Sequence, residues 1–538
     1  MKVRGLLFAT IFTSIRLYNK VLFIGLDSAE TSLVEKWVGD GSLPNLKKLV
    51  EKGVYQRTVP AEKIMADQWI TVYSGGGVAE NGYYNRIIWS PEKMANEKMQ
   101  PYQVGAQPFW HAFGSRDPRV IALDIPFSTR PAPFNGIELY GWASHDRFTT
   151  LYSSPPGWKD RLVAKFGPAP YFKEKFAPHS PAELEKIKNR LVESAGSAAR
   201  LAKYMLENEP WDLFMVVFGA THRAGHKLWP RPAPVLAGDS SAVENFSDTT
   251  AGGLAAIKEI YQACDRGVGE LVNSVGEATT ILVFSPDGMG PNTSRNEILP
   301  DMVSRIVSAQ TKGKDLSQRP KFWSGLRERV PIAWRDAVKK RLPERIQDFL
   351  SSYWRMGGID WAATPVFAAV PSDTVGLVRV NLKGREALGI VEPGEEYENW
   401  INIITRGLSS FMDADTGVPL VSRILRSGQL GLQGKRLPYL PDLIVIWGDS
   451  PASQHREINS PLYGAIPWPT PFDNPDSRSG NHTPQGFLLA VGGPFEPVRA
   501  LPDIQLEDIA PTLVDLLGAE APPGLAGTSL MRKSSTQA

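Results

Sequence analysis

Three histidines have the spacing of a metal site. His222 and His226 stand four residues apart in Gly219-Ala-Thr-His222-Arg-Ala-Gly-His226, so their imidazoles share a face where that turn coils into a helix. His482, in Gly480-Asn-His482-Thr-Pro, is a distant third. Three imidazoles around a divalent ion leave one coordination position open. Hydrolysis needs such a position, because water held there has its pKa brought to about 7 and yields hydroxide without a strong general base. The competing reading is three hydrogen-bonded core histidines, in a chain that has seven in all. Imidazole-rich ligation accepts iron, cobalt, nickel or copper but suits zinc best, as one ion or two.

Asp27 and Asp287 are the next candidates for metal binding or catalysis. Each ends an apolar run, where a buried carboxylate is costly unless paired, hydrogen-bonded or metal-bound. They can hold a second ion or orient water. Asp27 also suits an N-cap for a helix starting near Ala29. His145, in Trp142-Ala-Ser-His145-Asp146, follows another strand-like stretch and is placed to contact substrate or act as a general acid.

Positioning these groups requires a scaffold. Val21 to Leu26, Val120 to Asp124, Leu213 to Phe218, Thr280 to Phe284 and Asp442 to Trp447 are short runs rich in Val, Ile, Leu and Phe, which read as buried strands. Helical patterns alternate with them at Leu43 to Lys52, Pro181 to Glu207 and Leu254 to Val275. The expected fold is α/β, a layered sandwich with a central, mostly parallel sheet and helices on both faces. Functional groups of such sheets gather beyond the carboxyl ends of the strands. Asp27, the His222 turn and Asp287 all follow strands in that way, and His482 precedes the apolar run Gly486 to Val491.

The chain divides into core segments 19–311 and 359–538 around a Lys- and Arg-rich insert, 312–358, expected to form a helical cap with a solvated basic face or an anion- or lipid-binding one. A net charge of +2 from 59 basic and 57 acidic residues provides no field favouring a nucleic acid polymer. With 42% apolar residues, the composition is that of a globular protein. The one cysteine, Cys264, excludes an intrachain disulfide and reads as buried packing. The apolar run Gly5 to Ile15 lacks a small-residue cleavage site, and no apolar stretch approaches the ~20 residues needed to span a bilayer. The expectation is a cytoplasmic protein without stable membrane insertion.

Together these segments resemble the alkaline phosphatase superfamily, in particular its type I phosphodiesterase/nucleotide pyrophosphatase branch. Val21-Leu-Phe-Ile-Gly-Leu-Asp27 is similar to the first metal-ligand strand, and Leu43-Pro-Asn-Leu-Lys-Lys-Leu to the helix after it. Asp212 to His226, Val380 to Glu386, Asp442 to Trp447 and Asp508 to Gly518 look like later core segments. The resemblance implies two adjacent metal ions, usually zinc, and a Thr or Ser nucleophile. Counted back from Ser74-Gly75 in the helix with Trp69, the nucleophile position falls on Met65, whose thioether cannot attack phosphorus. Met65 and Asp67 then line the substrate position, with Asp67 and Glu62 available as acid or base groups. Thr58, Thr71 and Ser74 nearby read as structural hydroxyls, and Gly75-Gly-Gly77 as a helix stop. The family's Asp-His pair before Gly-Met becomes Pro286-Asp287, and His222 stands where an aspartate ligand is usual.

The expected activity is metal-dependent hydrolysis of a small phosphodiester, nucleotide pyrophosphate or related ester by metal-activated water, without a covalent enzyme intermediate. The alternatives are a transferase or lyase on the same metal, and a non-catalytic member of the family that binds a ligand or partner.

Overall fold

The computed structural model describes residues 19–60, 68–99, 103–105, 107–115, 117–128, 134–145, 151–172, 179–230, 253–311, 359–370, 372, 374–452, 455–469, 478–495, 497 and 501–531. The basic insert 312–358, the segment holding Glu62, Met65 and Asp67, and the first eighteen residues lie outside them.

Ten strands bear on the site: β1 (Val21–Leu26), β2 (Val54–Arg57), β3 (Val120–Leu123), β4 (Gly136–Tyr140), β5 (Tyr152–Ser154), β6 (Leu213–Phe218), β7 (Thr280–Ser285), β8 (Gly288–Pro291), β9 (Gly480–Thr483) and β10 (Phe487–Val491). All but β8 and β9 form one eight-stranded sheet, in the order β2-β10-β7-β1-β6-β3-β4-β5. The five strands from β7 to β4 run parallel. At the edges, β10 is antiparallel to β7 and β2, and β5 to β4. The remaining two strands pair with each other as an antiparallel ribbon, with Met289 opposite His482.

The helices are α1 (Thr31–Gly39), α2 (Pro44–Lys52), α3 (Gln68–Ser74), α4 (Pro181–Asn208), α5 (Ala220–Leu228), α6 (Leu254–Val272), α7 (Leu299–Gln310), α8 (Glu395–Leu408) and α9 (Ile509–Leu517). Every residue of β1 is buried, because both faces of the sheet are covered. Leu22, Ile24 and Leu26 share a core with Leu191, Ala195 and Ala202 of α4 and Ile257 and Ile260 of α6. Val21 and Phe23, pointing the other way, join Trp69 and Tyr73 of α3 and Leu513 and Leu517 of α9. A strand sealed on both sides reads as continuous apolar sequence rather than as alternation.

Local signals set the helix ends. Ser180 and Glu183 form a reciprocal capping box at the start of α4, which satisfies two otherwise unpaired N–H donors. Asp265 of α6 accepts from the backbone N–H groups of Asn45 and Leu46, capping α2 from across the fold. Cys264 beside it is buried, and burial pushes its thiol up to about 12, so it is packing rather than chemistry.

The apolar run ending at Trp447 is a strand, Leu443–Trp447, but of a different sheet. It lies in a four-stranded antiparallel sheet with Val366–Ala368, Gly376–Val380 and Val421–Arg426, which shares a core with α7 and α8. An apolar run reports burial, not which sheet it joins. Among the described residues no helix is long and apolar enough to cross a membrane.

Candidate metal centre and active site

Asp27 follows β1 directly and is 1% exposed. It does not cap α1, whose N-cap is Glu30. Instead, its Oδ1 accepts from Trp69 Nε1 at 2.8 Å. That contact depends on Gly25, where a Cβ would lie 2.5 Å from the Trp69 ring, so α3 can settle on β1 only across a glycine. The next residue, Ser28, has φ +50°, a left-handed conformation that costs a non-glycine residue about 1–3 kcal/mol. Its hydroxyl is thereby set between two imidazoles, 3.2 Å from His222 Nδ1 and 3.3 Å from His482 Nδ1.

The turn after β6 does coil. His222 and His226 are both in α5, one turn apart, and β9 brings His482 against them. The three ring centroids are 4.7, 4.8 and 4.9 Å apart, and one ligating nitrogen from each lies within 4.8 Å of the others. Close backbone packing makes this approach. A Cβ on Gly480 would sit 2.2 Å from Gly225 O, and one on Gly225 would sit 2.4 Å from Met289.

His226 shows most clearly what the cluster can hold. Its Nδ1 is 3.0 Å from Gly480 O, and since a carbonyl only accepts, Nδ1 carries the proton and Nε2 a lone pair. That Nε2 is buried and has no hydrogen-bond partner, a deficit worth about 1–3 kcal/mol. A divalent cation among the three imidazoles would satisfy it. Burial, then Arg478, His222 and His482, push the His226 pKa well below its usual value. His222 is pushed down to about 3, by burial first and His145 second, against the opposing pull of Asp27. Both imidazoles are therefore neutral at pH 7, the form a metal binds.

A fourth imidazole arrives from β4. His145 stacks on His222 with centroids 3.9 Å apart and planes 10° from parallel, and its Nδ1 lies 2.5 Å from Asp27 Oδ2. The loop that carries it is pinned by Asp124, whose carboxylate accepts the N–H groups of Gly141, Trp142 and Ala143 at 2.8, 3.0 and 2.6 Å. Gly219 gives it room, since a Cβ there would meet His145 N at 2.7 Å. Burial raises the carboxyl pKa of Asp27, but His145 and His222 outweigh it and hold the group well below the usual range. Asp27, His145 and His222 form a second group of three donors within 4.8 Å.

Asp287 meets a different partner. Its Oδ2 is 3.0 Å from His482 Nδ1, and its Oδ1 is buried without a hydrogen bond. Glu30 fixes this side of the site, accepting from Met289 N at 3.0 Å and Thr483 Oγ1 at 3.1 Å, so the turn after β1 is tied to both strands of the ribbon. Thr58 bonds to Gly486 through its backbone and hydroxyl, and Ser74 accepts from Gly76 N. Both are structural hydroxyls. Met65, Asp67 and Glu62 are outside the described residues. The sequence reading missed Ser28, Glu30, Asp124 and the Trp69 bond. Only the Asp27-Ser28 turn carried any signal, as a serine where the chain must leave a strand abruptly.

The sequence profile of the type I phosphodiesterase / nucleotide pyrophosphatase family matches residues 21–348, more than half of the chain. The chain belongs to that family. It is thus a phosphoester hydrolase of the phosphodiesterase/pyrophosphatase type. Among solved structures, phosphonoacetate hydrolase from Sinorhizobium meliloti 1021 is similar at 11% identity over 93% of this chain and 95% of that one, with a TM-score of 0.51. Wild-type alkaline phosphatase PafA is similar at 10% identity over 96% and 99%, with a TM-score of 0.51. Human ectonucleotide pyrophosphatase / phosphodiesterase 5 aligns at 13% identity over 94% and 96%, with a TM-score of 0.44. The first two share the alkaline-phosphatase-like fold seen here. A search of the curated proteins finds no sequence match.

Proposed function

We propose that this chain hydrolyses small phosphodiesters or nucleotide pyrophosphates at a divalent-metal centre, most simply zinc, held by His222, His226 and His482. The observation that carries the reading is the convergence of three imidazoles around the buried, unpartnered His226 Nε2 at the carboxyl edge of the sheet. A divalent ion bound there supplies Lewis acidity, lowering the pKa of water and neutralising charge on a phosphoryl oxygen.

The protein's own groups do the rest. His145, His222 and His482 each keep between 13% and 15% of the side chain exposed, so substrate meets the site on their side. Asp27 holds the His145 ring through Nδ1, the arrangement by which a carboxylate fixes the orientation of an acid–base imidazole. In the hydrolysis, water gives up a proton to solvent, its oxygen forms a new bond to phosphorus, and the bridging P–O bond breaks. His145 is the group positioned to give the leaving oxygen its proton. Asp287 orients His482. With Met65 at the family's nucleophile position, the phosphoryl group passes directly to water and no covalent enzyme intermediate forms.

The test is elemental analysis of the purified protein and of His226→Ala, alongside turnover of a chromogenic phosphodiester. Bound metal and turnover, both lost in the variant, are expected. Wild-type protein that hydrolyses the ester with no metal bound would defeat the reading.

A further inference from the structure

We infer that Arg295, His455 and Asp413, a buried relay beside the four-stranded sheet, are positioning residues for the hydrolytic site and act on His482 through Asn292. The inference rests on the three-histidine reading above, because it assigns a support to one of those three ligands.

His482 stands on the element that supports itself least. His222 and His226 are on a helix, whereas β8 and β9 pair only with each other, and a two-stranded ribbon is marginally stable by itself. Ser479 N donates to His226 O at 2.9 Å on the α5 side, and Glu30 holds the side facing β1. Beyond the end of β8 the support is Asn292, which is 3% exposed. Its backbone N–H donates to Ser479 O at 3.0 Å. Its side-chain amide donates to Arg478 O at 3.1 Å and accepts from Asn481 Nδ2 at 3.3 Å. Asn481 Oδ1 then accepts the His482 N–H at 2.9 Å. A shift of Asn292 therefore reaches β9 directly before and at the ligand.

Asn292 is gripped in turn from the loop that follows the strand Leu443–Trp447. Its carbonyl accepts from Ala452 N at 2.9 Å. Three residues on, Arg295 is fully buried and uses all three nitrogens. Nη1 donates to Thr293 O at 2.7 Å and Gly448 O at 3.0 Å, and Nη2 to Ser450 O and Oγ, both at 2.7 Å. Nε donates to His455 Nε2 at 3.1 Å. The other ring nitrogen, Nδ1, is 2.7 Å from Asp413 Oδ2, and Asp413 Oδ1 accepts from Thr416 N and Oγ1, each at 2.7 Å. A guanidinium only donates and a carboxylate only accepts, so His455 bridges them as a neutral imidazole with its proton on Nδ1. Burial, with Arg295 adding to it and Asp413 opposing, holds the His455 pKa below its usual value. A buried network whose members are all satisfied specifies one arrangement, and this one ends on the strand that carries His482.

The experiment compares full-length wild type, His455→Leu and His455→Gln by zinc calorimetry, and by hydrogen exchange of the amides of 479–483 in chelator. Glutamine offers a donor and an acceptor, as the neutral imidazole does, and leucine offers neither. His455→Leu should bind zinc about 10–100-fold more weakly, the range for losing an outer support of a metal ligand. It should also exchange faster at 479–483 while Val21–Leu26 stays as protected as in wild type, which a general loss of stability would not allow. His455→Gln should restore both properties. Should His455→Leu fold poorly, Asn292→Ala cuts the same link without stranding a buried charge, and the same weakening is expected. Zinc affinity and exchange at 479–483 that match wild type in these variants would overturn the inference and leave the three-histidine site standing, as would a His455→Gln protein no better than His455→Leu. Wild type that binds no zinc would defeat the three-histidine reading and this inference together.

Discussion

Replacing His226 by alanine separates the imidazole's role in the fold from its role at the metal. In the fold it donates to Gly480 O, and leaving that buried carbonyl unpaired costs about 1–3 kcal/mol with or without zinc. On the proposed reading it is also one metal ligand of three. Structural zinc sites of four ligands bind with about 10–16 kcal/mol, about 2.5–4 per ligand, so its loss weakens zinc binding by about 10²–10³-fold. With free zinc at 100 times the wild-type Kd, binding stabilises the wild type by about 2.7 kcal/mol and the variant by at most about 0.4. An unfolding entropy of about 2.1 cal/mol/K per residue, over 538 residues, converts 2.7 kcal/mol into a shift of about 2–3 °C. The assay is thermal unfolding of both proteins in chelator and in zinc. The wild type should shift by that amount, and His226→Ala, lower at the outset, by less than half a degree. Equal zinc-dependent shifts would refute the reasoning, whatever the absolute stabilities.

Two further outcomes follow from the site's supports. Burial raises Asp124 from 3.8 to about 6, against three N–H donors and His145. A carboxyl whose folded pKa is raised contributes stability that is present below its unfolded pKa and lost as pH rises through the folded one. Wild type should therefore gain about 2 kcal/mol over Asp124→Asn between pH 6 and pH 4, and parallel unfolding curves for the two proteins across that range would contradict the assignment. In Gly480→Ala the new Cβ meets Gly225 O at 2.2 Å and Trp229 Cβ at 2.7 Å. That overpacking costs about 1–3 kcal/mol and forces β9 away from α5, so zinc affinity should fall although no ligand has changed. Unaltered affinity by calorimetry would show that the ribbon does not set the position of His482.

Much of this was legible in the chain alone. The runs at β1, β3, β6 and β7 announced buried strands because a sheet covered on both faces allows no polar position. The His222 and His226 spacing anticipated a shared helical face. Pro286, Asp287 and Met65 are where residue type led us to expect departures from the family pattern.

Tertiary structure decided the rest, because it depends on contacts that no local period encodes. His482 reaches His226 through a Gly480 carbonyl 254 residues away in sequence, and only the close approach of Gly225, Gly290 and Gly480 permits it. Asp27 and Asp287 looked alike as carboxylates ending apolar runs. The fold gives one to His145 and Trp69 and the other to His482. Ser28 and Asp124 are ordinary residues in sequence, and their roles come from left-handed turns at strand ends. The sequence thus sets which groups are available for chemistry, since residue type fixes donor, charge and period. Which of them touch is set by register and by where glycine lets two backbones meet.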